Sequence, residues 1–93
     1  MPVTFSVQGT RRICAATVDN ISMGGMLLLT DEQLANDTGI VIHLQIDSDS
    51  TINVHATVAR TADVGEFGVA FISLTDDEMD RISTFVELRA ARS

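Results

Sequence analysis

The chain has no tryptophan or tyrosine, and its positive charge rests on arginine alone, with no lysine. Six arginines face thirteen acids, for a formal net charge of −7. General binding to DNA or RNA needs a basic surface, so neither is expected as a partner. A small anion held by a few arginines remains compatible. With only four phenylalanines, a base-stacking platform or aromatic cage has little to draw on. Cys14 is the single cysteine and makes no internal disulfide, which fits a reducing compartment. No apolar run is long enough for a spanning helix, so no membrane insertion is expected. The stretch Met1–Ser6 has neither the basic segment nor the apolar core of a signal peptide.

What is present suits one globular unit. Ninety-three residues, 45% of them apolar, read as a single domain over residues 1–93 with one modest core. Its most specific stretch is Asp19-Asn20-Ile21-Ser22-Met23-Gly24-Gly25, followed by the apolar run Met26–Leu29. This reads as a tight polar turn feeding a buried strand.

Period-two patterning predicts the remaining strands. Val3–Val7 alternates, Arg11–Val18 puts Cys14, Ala16 and Val18 on one face, and Met26–Leu29 is apolar on both faces, so cover is expected on both sides. Thr30–Thr38 reads as a loop with room for one helical turn. Ile40–Ile46 would turn Ile40, Ile42, Leu44 and Ile46 inward, and Val41, His43 and Gln45 outward. After a turn at Asp47–Ser50, Thr51–Arg60 would bury Ile52, Val54, Ala56 and Val58. These two strands predict a hairpin in which Ile46 faces Ile52, Leu44 faces Val54 and His43 faces His55; only even shifts of that register keep both apolar sets inside. A loop over Thr61–Glu66 leads to a last strand, Phe67–Phe71.

The C-terminal part changes period. Thr75 with Glu78 three residues later is a capping box. The acids of the first turn and Arg89 and Arg92 near the end suit the helix dipole. Met79, Ile82, Phe85 and Val86 form one apolar stripe, and Asp77 pairs with Arg81 one turn on. The spacing predicts an amphipathic helix over residues 76–90, closing an open end of a barrel or covering the Met26–Leu29 strand. The fold class expected is mainly β: about six short antiparallel strands over residues 3–72, forming a small barrel, then one helix.

With that order in place, the chain resembles the PilZ family. Asn20-Ile21-Ser22-Met23-Gly24-Gly25 fits its [D/N]-x-S-x-x-G motif, an apolar strand follows at once, and Gly68-Val69-Ala70-Phe71 is similar to its G-V-x-F strand before the closing helix. The resemblance implies a six-stranded split barrel with a helix, serving as a bacterial, cytoplasmic receptor module for the second messenger cyclic di-GMP, with a protein partner. It implies ligand contacts from Asn20, Ser22 and Gly25, with Asp19 and Gly24 in support. The family's second motif, R-x-x-x-R, holds guanine edges and phosphates through guanidinium groups. No R-x-x-x-R occurs in these 93 residues. Arg11 and Arg12 are adjacent, with alanine at 15 and 16, and are candidates only for auxiliary anion contacts. Either the arginine arm lies upstream in a longer protein or the domain diverged. The expectation is weak or absent cyclic di-GMP binding; the alternative is a non-binding protein–protein interaction module, for example in pilus, motility or biofilm control.

Each candidate residue also has a plain use. Asn20 and Ser22 suit the turn itself, bonding their own backbone while the glycines take positive φ. Arg11, Arg12 and Arg60 suit a solvated surface. His43 and His55 fall short of a metal site, which wants about four ligands, and Cys14 suits a buried, inert place beside alanines. Met23 within the turn suits an adaptable surface contact. No P-loop, dinucleotide fingerprint, zinc motif or nucleophile elbow occurs, so neither an enzyme nor a required cofactor is expected.

Overall fold

The computed structural model describes residues 2–22, 24–45, 51–72 and 74–92, with side chains through Glu87. Six strands precede one helix: β1 Pro2–Val7, β2 Ile13–Ile21, β3 Gly25–Leu29, β4 Gly39–Gln45, β5 Thr51–Asp63, β6 Glu66–Phe71 and α1 Asp76–Arg92. Two three-stranded meanders, β1–β2–β3 and β4–β5–β6, join through β1–β4 and β3–β6 contacts. The result is a closed barrel in the order β1-β2-β3-β6-β5-β4, antiparallel throughout. Closure leaves every strand two neighbours and removes free edges.

Alternation sets the interior. Phe5, Leu28, Ile40, Ile42, Leu44, Val54 and Val58 are fully buried, joined by Cys14, Ala16, Val18, Ile52 and Ala56. These include the inward sets expected for β2 and β5, and Ile40, Ile42 and Leu44 of the set expected for β4. Ile46, the Asp47–Ser50 turn and Met23 lie outside the described residues.

The β4–β5 register differs from the expected one by two residues. Leu44 pairs with Ile52, Ile42 with Val54, Val41 with His55 and His43 with Asn53. The two histidines are therefore not opposite one another; His43 Nδ1 meets Asn53 Oδ1 at 2.8 Å instead. A shift of two leaves every side chain on its face, so burial alternation alone does not select between these registers.

Two strands outrun their expected ends. β2 continues through Asp19-Asn20-Ile21, and β5 through Asp63 to a tight Val64-Gly65 turn with Gly65 at φ +77°. The Thr30–Thr38 segment forms no helical turn. It is tied by Asp37 N–H to the Val58 carbonyl and Val58 N–H to the Thr38 carbonyl.

The helix opens on its capping box: Glu78 N–H donates to Thr75 Oγ1 at 3.1 Å, and Thr75 N–H to Glu78 Oε1 at 3.0 Å. Arg81 Nε lies 3.2 Å from Asp77 Oδ2. Ile82 is fully buried and belongs to the barrel core, with Val86 and Leu74 packed against it. A wall hydrogen-bonded all round admits a helix side chain only at an end, so α1 closes an end of the barrel and does not cover β3. Met79, expected on the apolar stripe, is instead 42% exposed.

Candidate functional site

The β2–β3 connection is tighter than the sequence suggested. Ser22 N–H donates to the Gly25 carbonyl at 2.9 Å, and Ser22 Oγ reaches the same carbonyl at 3.3 Å. From the neighbouring strand, Phe71 N–H donates to the Gly24 carbonyl at 3.0 Å. Gly25 does not take a positive φ, contrary to the expectation for the glycines of this turn. Gly25 is needed for a different reason: a β-carbon there would collide with the Val69 carbonyl oxygen on β6. Gly24 has open space around it.

Two bulges shape the outer surface beside this turn. On β2, Val18 pairs with Leu28 while Asn20 pairs with Leu27, so Asp19 is extra. On β5, Val58 pairs with Val69 while Arg60 pairs with Gly68, so Ala59 is extra. Strict alternation from buried Val18 and Val58 would turn Asn20 and Arg60 into the core. Each bulge resets the period and turns a polar side chain outward, a known use of bulges. Both residues are exposed.

The pairings then place Asn20, Leu27, Gly68 and Arg60 in one row across β2, β3, β6 and β5. Three inter-strand steps separate the ends, roughly 14 Å. This row crosses a groove of about 360 Å³, lined at one end by Asn20, Ser22, Gly24 and Gly25 and at the other by Ala59 and Arg60. Among its described lining residues Arg60 alone carries a charge. In the sequence Arg60 suits a solvated surface; only the bulge at Ala59 and the β5–β6 pairing reveal its place.

Arg11 and Arg12 stand elsewhere. They precede β2, whereas Asn20 lies near its far end, roughly 25 Å away along an extended strand. Arg12 Nη2 is engaged by Glu32 Oε1 at 2.7 Å. Neither arginine lines the groove, which separates them from the auxiliary role expected of them. Asp19, at the bulge, does not line it either.

A second hollow, about 850 Å³, is bordered by β1, β2, the end of β3 and the Val64-Gly65 turn, with His43 on its wall. It contains none of the motif residues, and size alone does not make it the functional site. Cys14 is buried in the barrel.

A closed antiparallel barrel of six strands, capped by one helix, defines the class of small helix-capped β-barrels. The PilZ domain model matches residues 1–88, and the chain belongs to the PilZ family, whose members include receptors for cyclic di-GMP. Among solved structures, the PilZ domain of CeSA from a cellulose synthesizing bacterium is similar, with a TM-score of 0.77. The match covers 97% of this chain and 92% of that one at 17% identity, a likeness of fold. No curated protein matches the chain. No helix among the described residues is long and apolar enough to cross a membrane.

Proposed function

We propose that this chain is a receptor or adaptor module of cyclic di-GMP signalling. It takes the dinucleotide weakly in the groove beside the β2–β3 turn and alters its contacts with a protein partner when occupied. The observation that carries this reading is the gathering of Asn20, Ser22, Gly24 and Gly25, four residues of the motif stretch, along one groove. Asn20 makes no side-chain hydrogen bond to another described residue, so its amide is available to a ligand. Asp19 supports the site indirectly, as the bulge residue that turns Asn20 outward. Binding is weak because these 93 residues contain no R-x-x-x-R to close over the ligand.

Titration calorimetry of the chain with cyclic di-GMP tests this. Saturable heat that weakens in Ser22→Ala supports the receptor reading. No heat at high micromolar ligand, with the full natural chain, sinks it in favour of a second reading, a protein–protein interaction module that does not bind cyclic di-GMP. The missing arginine pair favours that second reading, and the wide hollow walled by His43 offers it a surface.

A further inference from the structure

Arg60 is the part of the groove that the sequence motif does not include. We infer that it is the groove's anion-binding pole, taking a phosphate of the cyclic dinucleotide whose other end rests on Asn20 and Ser22; this rests on the receptor reading above.

Three independent features converge on it. First, the bulge at Ala59 brings Arg60 out of the inward phase of β5, so an arginine that regular pairing would force into an apolar barrel faces the groove. A matching bulge at Asp19 does the same for Asn20 at the opposite end of the same row. Second, Gly68 leaves room on β6 for the arginine side chain. A β-carbon at position 68 would stand 3.1 Å from Arg60 Nε and 3.2 Å from its Cγ. The arginine therefore lies across β6, where an ordinary side chain would crowd it. Third, the electrostatics are local and one-signed. The chain carries −7 overall, yet the described groove lining includes this one cation and no carboxylate. Arg60 has no ion-pair partner among the described residues, whereas Arg12 and Arg81 are each engaged by an acid. An unengaged guanidinium presents a planar fork of donors suited to a phosphate. Leu27 lies in the row between Asn20 and the arginine, so a nucleotide laid along the groove would meet an amide and a hydroxyl at one end and a cation at the other.

The test is calorimetric titration of the chain with cyclic di-GMP at low and high salt, using wild type, Arg60→Gln, Arg60→Lys, Gly68→Ala and Ser22→Ala. Arg60→Gln is expected to weaken binding roughly tenfold to a hundredfold, the range for hydrogen bonds to a charged group, and to flatten the salt dependence. Arg60→Lys restores part of the affinity and most of the salt dependence, because it keeps the charge without the fork. Gly68→Ala weakens binding by displacing the arginine. Arg60 is exposed, so circular dichroism should show an unchanged fold in the Gln and Lys variants. If wild type binds, Ser22→Ala weakens it and Arg60→Gln binds as wild type does, the role of Arg60 is overturned while the receptor reading stands. If wild type gives no heat, the receptor reading falls and the role of Arg60 falls with it.

Discussion

Gly25 on β3 lies so close to the carbonyl oxygen of Val69 on β6 that no β-carbon fits between them. This contact couples the motif turn to the strand carrying Gly68, and so to the far side of the groove. Gly25→Ala must push apart two hydrogen-bonded strands. The expected cost is about 1–3 kcal/mol, the usual range for overpacking, measured as a lower urea midpoint. Gly24→Ala meets open space and is expected to change stability by no more than about 0.5 kcal/mol. Equal losses at the two positions would show that the close approach does not decide glycine here.

The helix start supplies a second prediction. Thr75 and Glu78 exchange two backbone-to-side-chain bonds at 3.0 and 3.1 Å. Thr75→Ala removes the cap and is expected to cost about 1 kcal/mol. Thr75→Ser retains the hydroxyl and should recover most of it. Chemical denaturation of the three proteins reads the order directly.

Ile82 and Met79 both belong to the helical stripe read from the sequence, but only Ile82 enters the core. Ile82→Ala is expected to cost about 2–5 kcal/mol through a cavity at the barrel end. Met79→Ala, at a residue 42% exposed, is expected to cost less than about 1 kcal/mol. Thermal melts that rank the two in the opposite order would contradict the placement of the helix.

Arg12 offers a contrast to Arg60. Its pair with Glu32 is 2.7 Å long, with the arginine side chain 68% exposed. Exposed pairs contribute about 0–1 kcal/mol and are screened by salt. Arg12→Gln should therefore alter stability only slightly, and less at high salt. It should leave any cyclic di-GMP affinity unchanged, since Arg12 stands outside the groove. A clear loss of affinity would mean that the ligand reaches beyond the groove to the start of β2.

Local rules carried much of this structure. Strand positions and inward faces followed from period-two burial, the helix from its stripe and capping box, and the motif turn from its residue types. The β4–β5 register was less legible, because a shift by two preserves every face and leaves only pairing partners to change. His43 thus meets Asn53 rather than His55.

What the sequence by itself determined was the alternation of apolar residues, the helix and the residue set at the β2–β3 turn, because each depends on neighbours a few positions away. Only the tertiary structure decided where Asn20 and Arg60 point. Their orientation depends on one extra residue in each of two strands, and a bulge exists only relative to the strand it pairs with. Alternation alone would have buried both residues; closure of the barrel places them at opposite ends of one groove.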